Sequence, residues 1–144
     1  MSGNSPLFAK QQLFTKGDYV IIENPGYKPA WKAFENAGAK LLPANVDEDG
    51  LPIYDIISYI KLGKKIKAIY VTPHRQYPTT LTLSLKRRLE LIKLSNEYGF
   101  TIIEDDYDNE FHFGYRPILP LASFKELKNY VYIGTMSKVV ISNV

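Results

Sequence analysis

Four short segments carry most of the side chains able to do chemistry. They read Asn24-Pro25-Gly26-Tyr27, Pro73-His74-Arg75-Gln76-Tyr77-Pro78-Thr79-Thr80, Glu104-Asp105-Asp106-Tyr107-Asp108 and Gly134-Thr135-Met136-Ser137-Lys138. The first offers a phenol ring able to lie over a flat ligand, although the same text also suits an ordinary strand-to-helix turn. The second fixes its backbone with two prolines around several hydrogen-bonding side chains. The third sets three carboxylates in a row. They repel one another unless one gains a cationic partner or holds its proton. A hard divalent cation would need ligands converging from several segments; none of the other three is acidic, so no metal is expected. The fourth places a lysine just after two hydroxyls, where an ordinary solvated lysine is the plain alternative.

Each segment follows a run that reads as a strand: Tyr19 to Glu23, Ala68 to Val71, Phe100 to Ile103 and Tyr130 to Gly134. A further strand is expected over Ala39 to Pro43. Between them lie helical stretches. Lys28 to Ala37 carries Trp31, Phe34 and Ala37 on one face and meets Gly38 at its end. Ile53 to Lys61 follows the turn Asp47-Glu48-Asp49-Gly50, with Pro52 at the first helical position and Ile56, Ile57 and Ile60 as its stripe. The longest helix is capped by Ser84, runs to about Tyr98, shows Leu85, Leu89, Ile92 and Leu94 as its apolar side, and stops at Gly99. Glu104 to Pro120 reads as irregular. Strands alternating with such helices imply an α/β fold: three layers, a mostly parallel sheet with helices on both faces. Ligands of such sheets bind beyond the carboxyl ends of the strands, where all four segments fall.

Composition narrows the classes. The chain has 144 residues, 45% hydrophobic and 23% charged, as in ordinary globular domains and unlike disordered chains. A net charge of +3, scattered along the chain, gives no nucleic-acid footprint. The absence of cysteine excludes disulfides, thiolate zinc sites and thiol nucleophiles. No apolar run approaches the roughly 18 residues of a membrane helix, and residues 1–12 lack the apolar core of a secretion signal; a cytoplasmic protein is expected. Neither G-x-G-x-x-G nor G-x-x-x-x-G-K-[ST] occurs. Phospho-receiver domains combine acidic residues with a strand-end lysine, but there the acidic pair follows the first strand rather than the fourth.

Taken together, GDYVIIENPGY, TPHRQYPTT, SLKRRLELIKLSNEYG, FTIIEDDYDNEF and YIGTMSK resemble, in order and spacing over roughly residues 13–138, the fold type I pyridoxal-phosphate (PLP) enzymes of the aspartate aminotransferase superfamily. The resemblance is closest to the aminotransferase-like domain of MocR-type regulators in the GntR group. It implies that Lys138 forms a Schiff base with PLP, which requires a neutral amine and hence a site that depresses its pKa. Asp105 would face the pyridine nitrogen and keep it protonated. Tyr107 would bond the ring's phenolic oxygen, Tyr27 would stack on the ring, and Ser137 would join the cofactor-binding residues. Pro78-Thr79 match the family's N-P-T-G loop. Tyr77 replaces the asparagine, as an aromatic often does in the regulator branch, and Thr80 replaces the glycine.

The resemblance further implies a partial large domain over residues 1–144, with Ser2-Gly3-Asn4-Ser5 similar to the turn that grips the PLP phosphate. No N-terminal winged helix and no C-terminal small domain are expected, hence no DNA contact by this chain. The parent family forms homodimers and takes an amino acid or PLP itself as its small-molecule partner. Residues 139–144 offer no phosphate-binding arginine. Transaminase turnover by this chain alone is therefore not expected, and the alternative is an inactive remnant of a MocR-type regulator.

Overall fold

The computed structural model describes residues 14–73, 76–106, 129–134 and 139–142. Among them the elements run β1 (Tyr19–Asn24), α1 (Lys28–Asn36), β2 (Lys40–Asn45), α2 (Ile53–Lys61), β3 (Ile66–Val71), α3 (Leu85–Tyr98), β4 (Thr101–Asp106), β5 (Tyr130–Gly134) and β6 (Val139–Ser142). Runs such as Val20-Ile21-Ile22 and Ala68-Ile69-Tyr70-Val71 are apolar on both sides, so neither face of those strands can stay in water. They take central places in a sheet of order β2-β1-β3-β4-β5-β6. The first five strands pair in parallel and β6 pairs antiparallel to β5.

Alternation along each strand divides the core in two. Ile21, Ile69, Val71 and Ile102 pack with Ile56 of α2 and Leu91 and Ile92 of α3 on one face. Val20, Ile22, Tyr70, Ile103 and Val131 pack with Phe34 of α1 on the other. The expected α/β architecture with helices on both faces is thus the one observed. Among the described residues no helix is long and apolar enough to cross a membrane.

The local signals placed the helices well. Ser84 Oγ accepts the Arg87 N–H, and Gly99 closes α3 in the left-handed region at φ 83°. The turn Asp47–Gly50 closes with reciprocal backbone bonds and is tied to α3 by the Arg87 fork on Asp47. Four expectations are corrected. Pro52 is the N-cap of α2 and not its first helical residue. Ile57 points outward, and Ile53, Ile56 and Ile60 face the core. On α3, Leu85 and Leu89 are exposed, and the inner face is Arg88, Leu91, Ile92 and Ser95. That set keeps helical spacing but mixes polar with apolar residues, because Ser95 donates to the Phe100 carbonyl and Arg88 to the carbonyls of Leu83 and Pro73. Finally, β4 runs on to Asp106, so Glu104, Asp105 and Asp106 lie in the strand rather than in a loop. The pleat relieves their repulsion: Glu104 shares the Ile102 side of the sheet and Asp105 the Ile103 side. Strand β6, unassigned in the sequence reading, covers the edge of β5.

From β1 the chain goes out to β2 on one side and returns to β3 on the other. This reversal between β1 and β3 makes a topological switch point, where the loops beyond the two carboxyl ends diverge and leave a crevice.

Candidate active site

The loop after β1 is shaped by Gly26. A Cβ there would stand 2.3 Å from the Glu23 carbonyl oxygen and 3.0 Å from Trp31 Cζ2, so only glycine lets the chain turn this tightly into α1. The next residue, Tyr27, is the N-cap of α1. Its ring meets that of Tyr77 edge to face, with centroids 5.3 Å apart and planes at 81°. Both tyrosines stay partly exposed, at 39% and 38%. The carboxyl edge at the switch point therefore carries two nearly perpendicular aromatic rings, on side chains that each stay partly exposed.

Beneath them sits a carboxylate that the sequence reading did not single out. Glu23 ends the buried part of β1 and is 3% exposed. Its Oε1 accepts the Thr72 hydroxyl at 2.8 Å, the Thr72 N–H at 3.2 Å and the Gln76 amide at 3.3 Å. Burial pushes its carboxyl up from 4.5 to about 7; the Thr72 and Gln76 hydrogen bonds oppose the rise, and the charge of Asp105 adds to it. Gln76 is equally engaged. Its Oε1 accepts from Thr79 N and Oγ1, and its Nε2 also donates to the carbonyls of Pro25 at 2.8 Å and Tyr77 at 2.5 Å.

On the neighbouring strand β3, the buried Tyr70 hydroxyl donates to Asp105 Oδ2 of β4 at 2.5 Å. Burial, then the Asp105 charge, pushes the Tyr70 phenol well above 10. The phenol therefore stays a donor, and Asp105 is held as its acceptor at the carboxyl end of β4. Asp105 and Tyr27 belong to the same side of the sheet, since β4 presents Asp105 on the Ile103 side and α1 packs there.

Of the expected site residues, Tyr27 and Tyr77 are in contact and Asp105 occupies the same carboxyl edge. Tyr107, Ser137 and Lys138 lie outside the described residues. The strand that leads to Ser137 and Lys138 is placed: Ile133 pairs with Asp105 and Gly134 with Asp106. Glu23, Thr72, Gln76 and Tyr70 were missed. The available signal was a glutamate closing an apolar strand just before the N-P-G turn.

Thr80 accounts for the glycine of the resembled loop. Its φ is 69°, in the left-handed region that a β-branched residue resists. Left-handed backbone costs about 1–2 kcal/mol for a side-chain-bearing residue, and glycine returns about 0.5–1 kcal/mol of that through its unfolded-state freedom. Thr80→Gly is expected to stabilise the chain by about 0.5–1 kcal/mol, read as a higher urea midpoint at unchanged slope. A midpoint lowered by the substitution would show that Thr80 is not strained.

No family model matches the chain. It is 31% identical over 129 residues to aromatic-amino-acid aminotransferase 1 of Thermococcus litoralis, covering 86% of this chain and 31% of that protein. It is 32% identical over 128 residues to the probable rhizopine catabolism regulatory protein MocR of Rhizobium meliloti, covering 89% of this chain and 25% of that one. An archaeal alanine:glyoxylate aminotransferase superposes with a TM-score of 0.80 at 33% identity, over 94% of this chain and 35% of that one. Pyrococcus horikoshii kynurenine aminotransferase, solved in complex with PMP, gives 0.75 at 26% identity over 92% and 35%. The chain thus spans about a quarter to a third of the length of the curated relatives it matches.

Proposed function

We propose that this chain, whose homologues include aminotransferases as well as MocR and other GntR-type regulators and whose fold is that of the PLP-dependent aminotransferases, carries part of a PLP-binding large domain over residues 1–144. The observation that carries this reading is Asp105. It is a carboxylate fixed by a buried phenol at a strand's carboxyl end, on the same edge as an open aromatic wall.

The donor set fits the cofactor. Asp105 offers a negative charge to a protonated pyridine nitrogen, and Tyr70 holds that carboxylate in place. Tyr27 offers a ring face of matching size, and Tyr77 stands across from it. Tyr107 would bond the ring's phenolic oxygen. Lys138 supplies the reacting amine, with Ser137 beside it in sequence. When bound, PLP supplies an electron sink for charge developing at the α-carbon of an amino acid. The protein's part would be to keep a proton on the ring nitrogen through Asp105 and to offer the Tyr27 ring as a stacking surface.

The two kinds of relative divide the finer reading between amino-acid transamination and ligand sensing in a MocR-type regulator. We favour binding without turnover by this chain alone, because among the described residues both arginines are engaged elsewhere, Arg87 by Asp47 and Arg88 by the Leu83 and Pro73 carbonyls, whereas turnover needs a cation that holds a substrate carboxylate in reactive geometry. The test is titration of the purified chain with PLP, followed by a panel of amino acids. After unbound PLP is removed by gel filtration, a near-visible absorbance band is expected to stay with the protein and to persist with every amino acid. Failure of the band to appear overturns the PLP reading. Its conversion at a catalytic rate assigns transaminase chemistry to the chain.

A further inference from the structure

Several buried polar groups near the crevice do not touch the space between the rings, yet they are bonded to the backbone on both sides of it. Gln76 Nε2 reaches the carbonyl of Pro25, two residues before Tyr27, and the carbonyl of Tyr77 itself. The Tyr77 N–H donates to Thr72 Oγ1 at 3.0 Å, and that hydroxyl in turn donates to Glu23 Oε1 at 2.8 Å. Glu23 Oε1 also takes the Gln76 amide. Thr79 N and Oγ1 occupy the other end of that amide, which fixes its orientation. One hydrogen-bonded unit thus joins the loop that bears Tyr27 to the loop that bears Tyr77, although the residues it joins are 49 to 53 positions apart in the chain.

We infer that Glu23 and Gln76 are positioning residues that clamp the two ring-bearing loops and set the angle at which Tyr27 and Tyr77 face a flat ligand. Rings on loops keep a fixed relative angle only when the supporting backbone is over-determined, and here every polar atom of the Gln76 side chain is engaged. The inference rests on the PLP reading only for its second readout. The first needs no ligand. Trp31 is the chain's single tryptophan, and it packs against Gly26 in the clamped loop. Its Nε1 is buried with no hydrogen-bond partner, so its emission reports any opening of that loop.

The experiment compares wild type with Gln76→Leu, Thr79→Val, Glu23→Leu and Glu23→Gln, well below the unfolding temperature. It measures Trp31 emission and acrylamide quenching without ligand, and the dissociation constant for PLP. Gln76→Leu and Glu23→Leu are expected to shift emission to the red, increase quenching and weaken PLP binding about tenfold, an effect of roughly one lost hydrogen bond. Thr79→Val is expected to move both readouts the same way by less. Glu23→Gln keeps the acceptor and is expected to match wild type in both. Wild-type emission and quenching in Gln76→Leu and Thr79→Val together would overturn the inference. If Gln76→Leu or Glu23→Leu fails to fold, Thr79→Val decides it. If wild type binds no PLP, the cofactor reading fails while the emission comparison still decides the clamp.

Discussion

Glu23→Gln is expected to make the chain more stable at pH 8 by about 2–3 kcal/mol and to flatten its stability between pH 5 and pH 8. Glu23 is buried, and its carboxyl is raised from 4.5 to about 7. Folding therefore favours the protonated acid. The sign follows: the contribution of Glu23 is fully present below about pH 4.5, and it is lost as pH rises through about 7. A rise of that size corresponds to about 3–4 kcal/mol, at about 1.4 kcal/mol per pH unit, of which glutamine recovers the larger part. Glutamine cannot ionise but retains an Oε1 able to accept from Thr72 and Gln76, so it keeps the hydrogen bonds without the buried charge. The difference between wild type and Glu23→Gln isolates this residue from the other titrating groups. Urea unfolding at several pH values reads it directly. Parallel pH profiles for the two proteins would mean that Glu23 titrates as a solvent-exposed acid does, against its burial.

Arg88→Met is expected to cost about 3–5 kcal/mol, the largest loss among the substitutions considered. The side chain is fully buried in the first turn of α3. Its Nε donates to the Leu83 carbonyl at 2.9 Å and its Nη2 to the Pro73 carbonyl at 3.0 Å. Methionine fills similar space but donates nothing. Two carbonyls would lose charge-assisted partners in the interior, each worth about 1.5–3 kcal/mol. Both belong to the segment between β3 and α3 that carries Gln76 and Tyr77, so the loss should loosen the aromatic wall as well as the core. A drop in the urea midpoint, with increased hydrogen exchange at Leu83, whose N–H bonds the Pro73 carbonyl, is the expected result. A stability within about 1 kcal/mol of wild type would mean that the apolar replacement offsets the lost bonds.

Both residues show where the sequence stops being legible. Helix limits were readable because their signals are local: the Ser84 cap, the Gly99 stop, the Asp47–Gly50 turn. The three-layer α/β order followed from alternation of strands and helices. The inner face of α3 was misread because periodicity favours leucines, and Leu85 and Leu89 offered an apolar stripe that the fold leaves exposed. Arg88 and Ser95 are buried only because carbonyls from other segments receive them, and no local pattern encodes a partner. β4 was read short because three acids look like a loop, whereas the pleat sends Glu104 and Asp105 to opposite faces. Tyr27, Tyr77 and Asp105 were visible as residues of the right type after strands. Glu23 lacked any such mark, and Gln76 stood among the hydrogen-bonding side chains of its segment without a role of its own, since the role of both depends on bonds across 49 to 53 residues of chain.

The most direct measurement is to incubate the chain with PLP, reduce it with borohydride and map the labelled peptide. A single label on Lys138 is the expected result, because β5, which precedes it in sequence, ends beside Asp105, where Ile133 pairs with that residue. Label distributed over several other lysines, with Lys138 unmodified, would contradict the assignment of this edge of the sheet as a PLP site.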